Sequence, residues 1–152
     1  MDNLQLQQKD REKEIAQLED FIKSDIDARE LKRAIAVRMA LSGKIYHEIS
    51  NILGVSNFFI GYWKKQFTTK GIAGIKLGHK GSKWYLTAQQ NTEVIDWLKN
   101  KEYCNLDELV TYLDGEFGVI YTSKQSYYKF FYRQKLVEKK LKKPILNLIK
   151  NW

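Results

Sequence analysis

Apolar positions along the chain recur at helical spacing in several separate stretches, broken by short glycine or polar segments. Near the start Leu4, Ile15, Leu18 and Ile22 fall close to heptad spacing, with Gln8 and Arg11 interrupting the seam. This predicts a lead helix over about 5–23, either lying on its own domain or pairing with a second copy. Asp27 through Glu30 fits a capping box with Ile26 and Leu31 as a hydrophobic staple, opening a helix whose apolar face is Leu31, Ile35, Val37, Met39 and Leu41. Ser42 and Gly43 end that helix. A short helix is predicted over about 46–53, and Gly54-Val55-Ser56 makes a sharp turn. Ser56 caps a third helix over about 57–67.

Residues 71–84 lose all periodicity, contain four glycines and no acid, and read as a linker. A second unit opens with another capping box, Thr87 with Gln90, ahead of Val94, Ile95, Trp97 and Leu98. Asn105 with Glu108 caps the next helix, whose Leu106, Leu109, Val110, Leu113 and Phe117 point inward. Gly118-Val119 turns the chain, and Ser123 caps a last helix through about Arg133. The predicted fold is therefore all-α, with two tandem three-helix helix-turn-helix units of homeodomain or winged-helix type joined by a basic linker and preceded by an extra helix. The expected boundaries are 1–25 for the lead helix, 26–70 and 85–143 for the units, 71–84 for the linker, and 144–152 for an apolar tail.

Composition narrows the class. The 152 residues contain one proline and nine glycines, too few turn-formers for a β-rich fold. Cys104 is the single cysteine, which excludes an internal disulfide, and with His47 and His79 as the only histidines a zinc site is not expected. No apolar run approaches a membrane span, and the N-terminus lacks the pattern of a signal peptide, so a cytoplasmic, nucleoid-associated location and no membrane partner are expected. Charge is unevenly placed. Residues 1–30 hold nine acids and five bases, while residues 31–152 hold nine acids and 21 bases. A net charge of +12 over that second stretch attracts polyanions, nucleic acid first.

The segment Glu48-Ile49-Ser50-Asn51-Ile52-Leu53-Gly54-Val55-Ser56-Asn57-Phe58-Phe59-Ile60-Gly61-Tyr62-Trp63 resembles the helix-turn-helix of bacterial mariner-superfamily insertion-sequence transposases. Leu109 to Phe131, with Phe117-Gly118-Val119 and Ser123-Lys124-Gln125-Ser126-Tyr127-Tyr128, is similar to the family's second helix-turn-helix. Gly78-His79-Lys80-Gly81-Ser82-Lys83 is similar to its basic linker. The resemblance spans about residues 27–143 and implies a bipartite, paired-domain-like reader of transposon terminal inverted repeats. The family's catalytic domain, an RNase-H-like fold with three metal-binding carboxylates, has no counterpart in this sequence. A split-frame transposase subunit, a truncated remnant and a stand-alone derivative all fit, and a separate catalytic transposase subunit is an expected partner.

Helical phase assigns the contacts expected with double-stranded DNA. In the first unit Ile60, Trp63 and Phe67 pack inward, leaving Asn57, Phe58, Gly61, Tyr62 and Lys65 outside. Asn57 suits adenine, and Phe58 suits a thymine methyl or the core, with packing the stronger alternative for Phe59. Tyr62, Lys64 and Lys65 are expected on phosphates. In the second unit Tyr127, Phe130 and Phe131 point inward. Gln125 is the expected base reader with Ser126 beside it, and Ser123, Lys124, Tyr128, Lys129 and Arg133 complete the face. Lys76, Lys80 and Lys83 of the linker enter a minor groove or merely ride on a tether. Lys135, Lys139, Lys140, Lys142 and Lys143 form either an added phosphate clamp or a solvated tail.

No enzymatic activity and no cofactor are expected. Glu93, Asp96, Asp107, Glu108, Asp114 and Glu116 fall on predicted helix caps and polar faces, and no phosphate-binding glycine loop occurs. Two rivals to the transposon-end reader remain: a transcriptional regulator dimerised through the lead helix on an operator, and an adaptor for a catalytic subunit.

Overall fold

A computed structural model describes residues 2–77, 86–102 and 104–138. Among these every regular element is helical: α1 (Asn3–Lys23), α2 (Ala28–Leu41), α3 (Tyr46–Leu53), α4 (Asn57–Lys70), a 3-10 turn (Gly71–Gly74), α5 (Ala88–Lys99), α6 (Leu106–Phe117) and α7 (Lys124–Glu138). The chain divides into two compact units, Met1–Gly78 and His79–Trp152.

In the first unit the ends of the helices follow from local side chains. Asp27 accepts a hydrogen bond from the Arg29 N–H at 2.8 Å, and not from Glu30 as the expected capping box requires. That bond, with the Arg29 charge behind it, holds the Asp27 carboxyl below its ordinary value. Gly54 stands at φ 67° and closes α3, its N–H reaching the Ser50 carbonyl at 2.9 Å. An L side chain resists that backbone conformation, so glycine sets where α3 stops. Ser56 then accepts from the Phe59 N–H at 3.1 Å and starts α4. Three residues, Gly54, Val55 and Ser56, separate α3 from α4.

The core sits between α1, α2 and α4. Leu18, Ala34, Val37, Leu41, Trp63, Phe67 and Ile75 form one buried cluster, and Ala36, Ile49 and Ile60 a second where α3 meets α2 and α4. The lead helix lies on its own unit over its second half, where Leu18 is fully buried and Ile15, Phe21 and Ile22 pack beside it. Arg38 and Glu19 close the outside of that contact at 2.9 Å. Residues 2–13 are exposed throughout, with Leu4 at 78%.

The expected linker begins too early. Residues 71–75 belong to the first unit, as a 3-10 turn followed by the fully buried Ile75. Gly71, at φ 68°, turns the chain back, and Gly74 lies so close to the backbone carbonyl of Gln66 that no Cβ fits there. Arg33 fastens the returning segment. Its side chain is buried, its guanidinium lies 3.8 Å from the centre of the Trp63 ring, and Nη1 donates to the Ile75 carbonyl at 3.1 Å. The apolar face expected for α2 gains this arginine together with Ala34 and Ala36, whereas Leu31, Ile35 and Met39 are half-buried.

In the second unit Thr87 and Gln90 form the reciprocal capping box. Asn105 accepts from the Glu108 N–H at 3.0 Å, while the Glu108 carboxylate turns to Lys101 at 2.6 Å. Gly118 ends α6 at φ 65°. Ser123 accepts from the Gln125 N–H at 3.2 Å at the head of α7, which runs one turn past its expected end. Val94, Leu98, Cys104, Leu109, Leu113, Tyr127, Phe130 and Phe131 form the core. The Tyr127 hydroxyl accepts the Tyr121 N–H at 2.8 Å, tying the loop before α7 to that core.

Burial pushes the phenols of Tyr112, Tyr121 and Tyr127 above the ordinary value of 10.0. A folded pKa above the unfolded one gives stability that is complete below pH 10 and is lost as the pH climbs through the folded pKa. Melting followed by circular dichroism from about pH 9 to about pH 11 should show the second unit weakening first. Equal alkaline loss in both units would contradict the assigned burial.

Candidate nucleic-acid interface

Along α4, Ile60, Trp63 and Phe67 are buried, so the opposite stripe presents Phe58, Tyr62 and Lys65 at intervals of four and three residues. Phe58 stacks on Tyr62 with ring centres 6.1 Å apart, and Tyr62 meets Trp63 edge-on at 5.0 Å. The aromatic pair is thereby braced by the core. Tyr62 is half-buried against the first cluster and is less outward than its helical phase suggests. Phe58 is half-buried too, so it serves packing and surface together, and Phe59 packs against both clusters. Gly61 also departs from the expected outward position. It lies beside α3, where a Cβ would stand 3.7 Å from the Tyr46 ring, because the two helices cross there. Asn57 and Lys65 are exposed and Lys64 is half-buried.

Along α7, Tyr127, Phe130, Phe131 and Gln134 are buried. Ser123, Lys124, Gln125, Lys129 and Arg133 are exposed, and Ser126 is half-buried. Ser123 already spends its oxygen on the helix cap. Tyr128 is the exception to the expected face, being half-buried against the core cluster at the edge of the helix. Tyr132, which was not among the expected contacts, is 45% exposed and completes a stripe with Gln125 and Lys129. Its i+7 spacing from Gln125 was the available signal, masked by the aromatic run around it.

Both faces carry exposed cations, as do other parts of the first unit at Lys32, Lys44 and Lys70. Lys64, Lys65, Lys124, Lys129 and Arg133 have no ion-pair partner among the described residues, whereas Arg29, Arg38, Lys99 and Lys101 are paired. Lys76 is exposed and belongs to the first unit, 6.0 Å from the Phe21 ring centre. Lys80, Lys83 and the tail lysines 139–143 lie outside the described residues. Among those residues no three His, Cys, Asp or Glu side chains come together as a metal-holding group, and no helix is long and apolar enough to cross a membrane.

Each unit thus presents one helix whose first turn carries an exposed amide, Asn57 or Gln125, followed by aromatic rings and unpaired cations. An amide reads the adenine edge with two hydrogen bonds, and ammonium and guanidinium groups neutralise phosphates. Comparison with protein-family models, with curated proteins and with solved structures gave no match.

Proposed function

We propose that this chain binds double-stranded DNA sequence-specifically through two tandem helix-turn-helix units, with α4 and α7 as the recognition helices and without catalysis of its own. The observation that carries the reading is the repeated outward face: an exposed amide in the first turn, rings along the stripe, and cations left without carboxylate partners. Cations that stand on the same face as an exposed amide, with no carboxylate partner among the described residues, fit an external polyanion. The turn of Gly54, Val55 and Ser56 between α3 and α4 supports the same arrangement in the first unit. The resemblance to mariner-superfamily transposases makes terminal inverted repeats of a transposon the proposed target.

Selection of bound duplexes from a random pool at near-physiological salt tests this. The expected result is one asymmetric motif longer than about 10 base pairs, the length a single recognition helix and its flanks cannot read. Asn57→Ala should then cost about 1–3 kcal/mol and relax one position, while Lys65→Ala should weaken all sequences alike. Absence of any enriched motif, or the same sequence-independent loss for both variants, would overturn the reading.

A second reading rests on α1, whose residues 2–13 are exposed, Leu4 and Leu6 included. A palindromic motif in the same selection would favour a regulator dimerised through that helix.

A further inference from the structure

In the second unit a cavity of about 250 Å³ opens on the flank of α7 that faces α5. Its chemistry is divided. Leu86, Phe130 and the Tyr121 ring supply an apolar and aromatic wall, the two rings lying 6.4 Å apart at a tilt of 32°. Lys129 and Arg133 line the cavity, one helical turn apart, and among the described residues no carboxylate lines the space. Like charges at that spacing repel, and neither has an ion-pair partner among the described residues, so the pair favours an anion. Asn91 is oriented by its own bonds. Its Nδ2 donates to the Thr87 carbonyl at 3.1 Å and to the Leu86 carbonyl at 3.5 Å, which leaves Oδ1 as an acceptor, and Ser126 adds a hydroxyl.

We propose that this cavity binds one nucleotide, its phosphate held by Lys129 and Arg133 and its base laid against Tyr121 and Leu86 within reach of Asn91. The inference rests on the DNA-binding reading for the identity of the phosphate as a nucleotide's. Three features select the class. The paired cations ask for a charged phosphate rather than a neutral solute. The half-buried Tyr121 ring offers a stacking surface that inorganic phosphate cannot use. The volume falls just under the roughly 300 Å³ at which pockets enclose drug-sized ligands, which suits a single nucleotide with part of it in solvent. Arg133 also works against the burial that raises the Tyr121 phenol, which places its charge close to that wall. The nucleotide is either free in solution or an unpaired residue at a DNA end.

Amide chemical shifts of the full chain, titrated with AMP, adenosine, inorganic phosphate and a duplex carrying one unpaired 5′-phosphorylated nucleotide, test it. AMP should move the amides of Tyr121, Ser126, Lys129 and Arg133, and bind about tenfold or more tighter than adenosine or phosphate alone. Arg133→Gln and Lys129→Gln, both at exposed helical positions, should each weaken AMP by about tenfold to a hundredfold. A response to the overhanging duplex and not to AMP would support the site with DNA as the source. Phosphate binding as tightly as AMP would overturn the base-stacking half, and silence with both nucleotide probes would overturn the whole. Duplex selection on the same protein separates the failures. A motif with no pocket response sinks the pocket alone, and AMP binding with no motif sinks the DNA reading alone.

Discussion

Arg33→Ala is expected to destabilise the first unit by about 3–5 kcal/mol, a loss near the top of the range for single substitutions. Three losses combine. The Ile75 carbonyl, at the end of a fully buried residue, loses its donor, and an unsatisfied buried acceptor costs about 1–3 kcal/mol. The guanidinium leaves the face of Trp63, a contact worth about 2 kcal/mol when water is excluded. The methylene stem also leaves a well-packed site between α2 and α4, and the remaining atoms relax only in part. Arg33→Met restores the stem and not the bonds, so it should recover roughly a third of the loss. The two units can unfold separately, so the measurement should follow the Trp63 indole during denaturation of the full chain, with amide exchange at Ile75 beside it. Exchange at Ile75 should accelerate far more in Arg33→Ala than exchange in α3. A loss below about 1 kcal/mol would mean that Arg33 is not what holds residues 71–75 in place.

This same feature marks the limit of what the sequence discloses. Periodicity and caps locate α3 and the start of α5 to the residue and the bounds expected for the other helices to within about five, because Gly54, Ser56, Thr87, Gln90 and Asn105 each act within four residues of their own position. Arg33 acts across 42 residues on a carbonyl and across 30 on a ring. Nothing local separates a buried arginine from an ordinary surface one. The two glycines of residues 71–74 read as freedom, yet Gly71 is required by a reversal and Gly74 by a close backbone approach. Ile72 and Ile75, three apart, were the only sign that the segment packs. The candidate interface is legible to a similar degree. Asn57, Lys65, Gln125, Lys129 and Arg133 are placed outward as helical phase requires, since opposite faces of a helix depend only on spacing. Gly61, Tyr62 and Tyr128 fall at the edges of their faces, where the neighbouring helix decides and a wheel does not. The division of labour on α7 also needed the structure: Lys129 and Arg133 flank a cavity whose other wall comes from Leu86 and Asn91.

DNA affinity is expected to fall about 10³-fold to 10⁴-fold as salt rises from about 50 mM to about 200 mM, a log–log slope near −5 to −7. The slope follows from counting phosphates. If about six to eight are neutralised across both units, each releases a little under one counterion. Lys64, Lys65, Lys124, Lys129 and Arg133 supply five candidates with no internal carboxylate to displace first. A cation already in an ion pair must break it before meeting a phosphate, which reduces its net contribution. The variants divide accordingly. Lys65→Ala and Lys124→Ala should each make the slope shallower by about 1, whereas Asn57→Ala should shift the whole line with its slope unchanged, because an amide on a base edge releases no counterion. Fluorescence anisotropy of a labelled duplex bearing the selected motif, taken at five or more salt concentrations, reads both quantities at once. A slope near −2 would correspond to two phosphates, too few for α4 and α7 to be on the duplex together. That result would leave one unit on DNA and free the other for a different partner.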